Sequence, residues 1–493
     1  MTIILIAIYS TILVGLAIYG FNALFFSVQF LRHRKSAFGK VAPAPAKSEL
    51  PSVTVQLPLF NEKLVVERLI DAVAALDYPA EKLTIQVLDD STDETIALAR
   101  ARVAFHRQHG VNIEYVRRPE RTGFKAGALA YGLQFAPGEF IAIFDADFVP
   151  PRDFLRQMIP HFRDPQVGMV QARWGHLNDT ANPFTRAQAL ALDGHFVIEQ
   201  TVRSQTGLLM NFNGSGGIWR RAAIDDAGGW QADTIAEDLD LSYRAQLRGW
   251  QLAYAPTIVA PAEIPPLLTA FKRQQFRWAK GAIQALRKFA GTLLRARLSP
   301  WQKIQAFLHL SGYMVHPLML AMIVVGLPVI LVRDPGTLPV GALGVAGFAP
   351  PVLFALSQWG AYRNWLHRFA YFPFLVLFGA GIMLNNSWAV FEGLTGRNPR
   401  EFLRTPKFRT QTGIQRAGEY VLPVDWTTWG ELVLGGYCWI EAVVAINRAP
   451  GLAPFLLMYA LGFTVTAGLG LWQSRKFSVR GSRFKVSSLK SQI

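Results

Sequence analysis

Two carboxylates separated by one residue follow an apolar run at positions 141–151, IAIFDADFVPP. The run is typical of a buried strand, and it ends at Asp145 and Asp147. Carboxylates held this close suit Mg²⁺ or Mn²⁺, which take oxygen ligands and commonly share them with a substrate's phosphates. The pattern is weak by itself, because neighbouring acids often only cap or solvate a turn. Its meaning therefore depends on what else the chain brings to the same place.

Two further stretches offer polar groups with a chemical use and an ordinary structural alternative. RTGFKAGAL (121–129) places Lys125 among glycines, where an ammonium can meet a phosphate, although it also fits a glycine-bounded helix start. IAEDLDLSYRAQLRGW (235–250) places Glu237 and Asp238 at the start of a helical pattern. Acids there are often helix caps, but Asp238 is also a candidate general base.

A basic, amphipathic stretch follows at 270–289, AFKRQQFRWAKGAIQALRKF. Its pattern predicts a helix that lies on a membrane surface. Such a helix can still present Gln274, Arg277 and Trp278 to a site on its other side.

The segments that must position these residues alternate between strand and helix patterns. Strands are predicted at 52–62, 83–94, 112–118 and 139–148, and helices at 65–76 and 93–110. This alternation predicts an α/β domain with a doubly wound, mostly parallel sheet. Ligands of such sheets bind at the carboxyl ends of the strands, and those ends carry Asp89, Asp90, Asp145 and Asp147.

The N-terminal segment has the length of a membrane helix. Residues 2–31 contain no charged residue, and a basic cluster follows at 32–40. A cleaved signal peptide is the alternative, but the basic residues follow the apolar run and no A-x-A-like site comes after it. The positive-inside rule then places the chain from residue 40 onward in the cytosol.

The C-terminal part contains more uncharged stretches. They lie at 304–332, 335–362, 369–391, 432–439 and 451–474. If the first three all crossed the membrane, the basic loop after Arg397 would lie outside, against the positive-inside rule. We therefore expect one of them to be re-entrant or interfacial, which leaves about five spans.

Together these patterns predict five regions. They are a membrane anchor with a basic flank at 1–40, a cytosolic catalytic domain at 49–265, amphipathic interface helices at 266–300, a transmembrane region at 301–474 with a cytosolic loop at 397–425, and a basic cytosolic tail at 475–493. The expected location is the plasma (inner) membrane. The net charge of +16 is explained by cytosolic flanks beside anionic membrane lipid, so no nucleic-acid partner is expected.

Four motifs in order, LDDS, DAD, AED and QQFRW, resemble the signature of processive family 2 glycosyltransferases: D, D-x-D, (T/A)-E-D and Q-x-x-R-W. QLPLFNE, GFKAGAL and FNGSGGIWR are similar to the cellulose-synthase-like mannan and glucan synthases in particular. The resemblance covers about residues 50–410 and implies a GT-A fold. Two departures are Ala236, where many members have threonine, and Arg404, where the gating loop of cellulose synthases has valine.

The resemblance implies a donor side made of five residues. Asp89 and Asp90 would contact the base and ribose of a nucleotide-sugar donor, either UDP-glucose or GDP-mannose. Lys125 and Arg277 would neutralise phosphate charge, and Asp145 would bind the diphosphate.

The resemblance also implies the metal ligands, the base and the acceptor side. Asp147, with Asp145, would hold Mg²⁺ or Mn²⁺, and Asp238, with Glu237 beside it, would deprotonate the acceptor hydroxyl. The implied acceptor-side residues are Gln274, Trp278, Gly214 and Trp219.

Three functions remain open at this stage. The first is a processive synthase that extends a β-linked mannan, glucan or glucomannan and passes it through its own membrane helices. The second is transfer of one sugar to a lipid acceptor, as in the ceramide glucosyltransferases. The third is a non-enzymatic transporter or scaffold, which the intact set of acids disfavours.

Overall fold

The computed structural model describes residues 2–39, 49–332, 341–396 and 424–490, with side chains up to Ser474. Seven strands of the described chain form one sheet. They are β1 Val53–Leu59, β2 Leu83–Asp89, β3 Ile113–Val116, β4 Phe140–Ile143, β5 Val167–His176, β6 Gly217–Arg220 and β7 Gln251–Ala262. The prediction of the first four strands is confirmed, whereas the last three were not predicted.

The described helices before residue 300 are α1 Thr2–Phe38, α2 Val66–Ala74, α3 Thr95–Gln108, α4 Phe124–Leu133, α5 Phe154–Met158, α6 Pro183–Asp193, α7 Gln200–Gln205, α8 Arg221–Asp226, α9 Glu237–Leu247 and α10 Leu268–Arg295. A π-helical turn, Gly194–Glu199, joins α6 to α7. The described helices after residue 300 are α11 Pro300–Leu310, α12 Val315–Val332, α13 Gly341–Gly344, α14 Ala349–Ala361, α15 Trp365–Phe369, α16 Phe372–Gly381, α17 Met383–Thr395, α18 Trp426–Arg448 and α19 Ala453–Lys490.

The sheet is mixed, with the strand order β3-β2-β1-β4-β6-β5-β7. Strands β1 to β4 pair only in parallel with one another, as predicted, and β5 pairs in parallel with β7. The short strand β6 runs antiparallel between β4 and β5. The fold is therefore the α/β type with a mostly parallel sheet that the sequence predicts.

The parallel pairing brings the predicted acids to one edge. Leu59 of β1 lies opposite Asp89 of β2, so these two strands end at the same level. Strand β4 pairs with the other side of β1 and ends at Ile143, two residues before Asp145. Because the carboxyl ends of parallel strands lie at the same edge, Asp90 and Asp145 come to opposite sides of the end of β1.

Helices cover both faces of the sheet, since its strands are apolar on both sides. Helices α2 and α3 pack on one face through residues such as Ile70 and Val103. Helix α4 packs on the other face through Leu129 and Leu133. In β1, β2 and β4 the only charged residue is Asp89, the last residue of β2.

Within the described residues, four helices are long and apolar enough to cross a membrane: Thr2–Phe38, Gly312–Val332, Trp426–Arg448 and Ala453–Ser474. A fifth candidate is the pair Trp365–Gly381 and Met383–Thr395, which is bent by 50°. The stretch predicted at 335–362 forms only short helices where it is described, and α14 has 13 residues, too few to span a bilayer. The described residues thus contain five candidate spans when the bent pair counts as one, and the expected number was about five. Most of the predicted loop at 397–425, including Arg404, lies outside the described residues.

Candidate active site

A cleft opens at the carboxyl edge of the sheet and has a volume of about 1410 Å³, including its mouth. All but two of the predicted site residues line it. Those that line it are Asp90, Lys125, Asp145, Asp147, Gly214, Glu237, Asp238, Gln274, Arg277 and Trp278. The sheet edge, α4, α9 and α10 each contribute part of this wall. Residues up to 188 positions apart in the chain are thereby assembled into one site.

The Lys125 ammonium lies among oxygen atoms from three separate segments. Its Nζ atom is 2.6 Å from Oδ1 of Asp145 and 3.6 Å from Oε1 of Glu237, and it donates a 2.8 Å hydrogen bond to the carbonyl of Gly214. Burial by itself lowers the pKa of Lys125, but the charges of Asp145 and Glu237 outweigh burial and raise that pKa. Lys125 is therefore a permanent cation at neutral pH.

Asp238 has the opposite electrostatic character. Burial and the neighbouring charge of Glu237 raise the pKa of Asp238 to about 7, against the opposing effects of Lys125 and of the Leu239 amide. Its Oδ1 atom accepts a 2.8 Å hydrogen bond from that amide. A carboxylate with a pKa near neutrality accepts a proton more readily than an ordinary aspartate does.

Gly214 allows the backbone to approach both of these groups. Its φ angle is +82°, in the region that favours glycine. A Cβ atom there would be 2.9 Å from Oδ2 of Asp238 and 3.3 Å from Nζ of Lys125. A side chain at this position would therefore displace the proposed base or the lysine.

Arg118 joins Asp90 to the start of α4, the helix that carries Lys125. Its guanidinium binds both carboxylate oxygens of Asp90, at 2.8 and 2.6 Å. The same group donates to the carbonyls of Thr122 and Phe124. Arg118 therefore fixes the start of α4 relative to the end of β2.

Helix α10 presents the Q-x-x-R-W residues to the cleft. Gln274, Arg277 and Trp278 lie three and four positions apart, so one face of the helix carries all three. Burial lowers the pKa of Arg277, while the charges of Glu237 and Asp145 act in the opposite direction. An arginine stays protonated under these conditions and adds a second cation to the cleft.

Asp89 and Trp219 are the two predicted site residues that the structure places outside the lining of the cleft, and their roles toward donor and acceptor stay predictions. Asp89 is 1% exposed and accepts hydrogen bonds from the Tyr115 hydroxyl and the Ser91 amide, at 2.7 and 2.9 Å. Trp219 is fully buried and packs edge to face on Trp230. Neither belongs to the described lining of the cleft, since both side chains are buried.

Other residues line the cleft that the sequence analysis missed. Glu263 follows β7 directly and pairs with Arg68 at 2.5 Å. His176 ends β5 and lies 3.0 Å from Asp193. Like Asp145, both residues lie at the carboxyl end of a strand, where ligands of such sheets bind. They were missed because β5 and β7 were not predicted.

The carboxylates of Asp145 and Asp147 are suitable ligands for a divalent cation. Both line the cleft, and both offer the oxygen atoms that Mg²⁺ and Mn²⁺ prefer. Across the described ranges, no group of three or more His, Cys, Asp or Glu side chains could hold a metal by itself. Such cations are commonly bound by one or two carboxylates and completed by substrate phosphates and water. The residues therefore fit a cation that is shared with a bound diphosphate.

Known proteins match this chain over most of its length. The family model Glycosyltransferase like family 2 matches residues 51–281. Glucomannan 4-beta-mannosyltransferase 2 of Arabidopsis thaliana is 37% identical over 356 residues, which cover 70% of this chain and 65% of the relative. Glucomannan 4-beta-mannosyltransferase 9 of the same plant is 36% identical over 370 residues, which cover 73% of this chain and 68% of the relative.

A solved structure is similar in fold. It is the mannosyltransferase PcManGT from Pyrobaculum calidifontis in complex with GDP-Man and Mn²⁺, with a TM-score of 0.54. It is 23% identical in sequence, and the match covers 79% of this chain and 100% of that chain. This likeness supports the GT-A fold.

The fold, the cleft and these matches define a glycosyltransferase domain. The chain belongs to the family 2 glycosyltransferases, and it resembles the cellulose-synthase-like mannan synthases among them. It spans about two thirds of the length of these two plant relatives, 65% and 68%. The family prediction made from the four motifs is confirmed.

The buried position of Trp219 generates a prediction. Trp219→Ala should lower the free energy of unfolding by about 3–5 kcal/mol, because it leaves a cavity in the core. Trp219→Phe should leave the acceptor KM of glycosyl transfer nearly unchanged. Thermal unfolding in detergent and initial rates would measure both. A raised acceptor KM with unchanged stability in Trp219→Phe would show that Trp219 belongs to the acceptor site. Trp278→Phe is the matched change at a residue that lines the cleft.

The close approach at Gly214 generates a second prediction. Gly214→Ala should lower kcat by at least about tenfold, because the new methyl group would contact and displace the Asp238 carboxylate. The positive φ angle adds a conformational strain of about 1–2 kcal/mol to any residue other than glycine at this position. Gly207→Ala is the control, since Gly207 has a φ of +66° and no described atom within 4 Å of the added methyl group. Equal kcat for the two variants would mean that the contact with Asp238 is unimportant.

Proposed function

We propose that this protein is an inverting hexosyltransferase of a membrane that elongates a β-linked polysaccharide from a nucleotide-diphosphate sugar. The proposal rests on one cleft in which Asp238, a carboxylate with a pKa of about 7, lies beside two cations and a pair of acids. The cations are Lys125 and Arg277, and the acids are Asp145 and Asp147. Transfer from a nucleotide sugar needs stabilisation of the leaving diphosphate and activation of a hydroxyl. The cleft has residues for both tasks.

The donor binds, in this proposal, with its diphosphate between Lys125 and Arg277. These two cations neutralise the charge that develops as the sugar leaves. Asp90 orients the nucleoside end through its ion pair with Arg118. A Mg²⁺ or Mn²⁺ ion held by Asp145 and Asp147 would add positive charge to the same phosphates.

The reaction is a single displacement. The acceptor hydroxyl attacks the anomeric carbon, the bond from that carbon to the diphosphate oxygen breaks, and the hydroxyl proton passes to Asp238. Glu237 assists by keeping the pKa of Asp238 high. One displacement inverts the anomeric centre, so an α-linked donor gives a β-linkage.

The acceptor side is formed by Gln274, Trp278 and the backbone at Gly214. The Trp278 indole offers an apolar face on which a sugar ring can stack. Gly214 keeps the acceptor path open beside Asp238. The names of the plant relatives favour mannose as the transferred sugar and mannan or glucomannan as the product. GDP-mannose is then the first donor to test, and UDP-glucose the second.

The membrane helices are proposed to carry the growing polymer, with the catalytic domain in the cytosol. Helix α10 supports this arrangement, because it lines the cleft with Arg277 while Lys272 pairs at 2.8 Å with Glu431 of the candidate span α18. The same closeness of cleft and membrane helix also suits the second candidate, transfer of one sugar to a lipid acceptor. The product distinguishes the two.

The pKa of Asp238 generates a prediction. The base acts in its ionised form, so kcat/KM should rise about tenfold per pH unit below pH 7 and level off above it. The charged groups that set this pKa are Glu237, Lys125 and Asp145.

Asp238→Asn should lower kcat by about 10²–10⁴-fold and leave donor affinity nearly unchanged, as measured by initial rates and calorimetry. Strong residual turnover in Asp238→Asn would refute its role as the base.

A product assay tests the proposed function. Purified protein in lipid receives labelled GDP-mannose or UDP-glucose, separately and together, with Mg²⁺ or Mn²⁺. The expected product stays at the chromatography origin and is degraded by a β-mannanase or a β-glucanase. EDTA should abolish its formation, and Mn²⁺ or Mg²⁺ should restore it. A single labelled glycolipid band would instead establish the lipid acceptor, and full activity in EDTA would refute the role given to Asp145 and Asp147.

A further inference from the structure

One face of α10 contacts the catalytic domain beyond the Q-x-x-R-W residues. Arg277, Gly281, Gln284 and Lys288 follow one another at intervals of three or four residues, so they lie on the same side of the helix. Arg277 lines the cleft. The other three contact residues 233–240, which we call the base segment because it carries Asp238.

The contacts between α10 and the base segment are close and buried. Oε1 of Gln284 accepts a 2.9 Å hydrogen bond from the backbone amide of Ile235. A Cβ atom on Gly281 would lie 2.7 Å from the Cβ atom of Ala236, so only glycine fits there. Lys288 pairs at 2.5 Å with Asp240, whose side chain is fully buried. The backbone before Asp238 therefore takes its position from α10.

Another side of α10 is fixed to α17, one limb of the bent pair of membrane helices. Nζ of Lys280 lies 2.7 Å from Oε2 of Glu392, and the two side chains are only 2% and 10% exposed. Gly393 permits close packing, since a Cβ atom there would lie 2.9 Å from the Cβ atom of Ile283. A buried ion pair is directional and costly to separate, so it fixes the rotation of α10 about its axis.

We propose that Gln284 and the Lys280–Glu392 ion pair are positioning residues for the base Asp238. Gln284 holds the base segment on α10, and the ion pair holds α10 on α17. A base must lie within hydrogen-bond reach of its proton, so a small displacement of this support lowers the rate without removing any group that touches substrate. This inference rests on the proposed function, in which Asp238 is the base.

Gln284→Leu tests the inference, because leucine has a similar volume but no acceptor for the Ile235 amide. We expect kcat to fall at least tenfold while the donor KM stays within twofold of wild type. Hydrogen–deuterium exchange of a peptide across 233–240 should become at least tenfold faster, with β1 unchanged. Gln284→Glu keeps an acceptor oxygen and should restore both readouts to near the wild-type values.

Gln305→Leu is the matched control. Gln305 is also fully buried, but its amide donates a 2.8 Å hydrogen bond to Asn22 of α1, away from the base segment. This variant should leave both kcat and the exchange at 233–240 unchanged. An equal loss of kcat in the two variants would mean that general destabilisation, and not positioning, is responsible, and would overturn the inference.

Glu392→Gln provides a second variant that acts through α10 and lies on a different helix. It keeps an oxygen near Lys280 but removes the charge, and we expect slower turnover with faster exchange at 233–240. This variant decides the question if Gln284→Leu does not fold. Unchanged exchange in both variants would overturn the inference.

If the wild-type protein transferred no sugar from any donor, the proposed function would fail, whereas the exchange comparison would still establish or refute the support of the base segment by α10.

Discussion

An ammonium group surrounded by carboxylates is the interaction on which the cleft depends. Asp145, Glu237 and Asp238 approach one another in a space of reduced polarity, where like charges repel strongly. Lys125 lies among them and compensates part of that repulsion. At Asp238, burial and the charge of Glu237 together outweigh this compensation, so the pKa of Asp238 is raised to about 7 while Lys125 stays charged.

The fold supplies this cluster from separate parts. Lys125 comes from the start of α4, Asp145 from the end of β4, and Glu237 and Asp238 from the start of α9. Arg118 fixes the first of these to the end of β2, and Gly214 brings a backbone carbonyl to the lysine from the loop before β6. Each charged member of the cluster lies at the end of a strand or the beginning of a helix, where a polar side chain can point out of the core.

Helix α10 links the cleft to the candidate membrane-spanning helices. Its cleft side carries Arg277 and its far side carries Lys272, whose ammonium is bound by Glu431 of α18. Lysine and glutamate are rarely buried unless paired, so these contacts define how the catalytic domain sits on the apolar helices. In the function proposed here, this one helix therefore positions both the donor phosphates and the base segment.

The amino-acid sequence by itself determined the first four strands, the α/β class, the family and most of the cleft residues. It could do so because strand periodicity and the motifs at strand ends are local features of a few neighbouring residues. It missed Glu263 and gave no sign that Asp89 and Trp219 are buried, because the neighbours of a side chain in the folded chain decide whether it faces a cleft or a core. Only the tertiary structure decided the ion pairs of Lys125, the pKa of Asp238 and the support from α10, since these arise between segments that are distant in the chain and close in space.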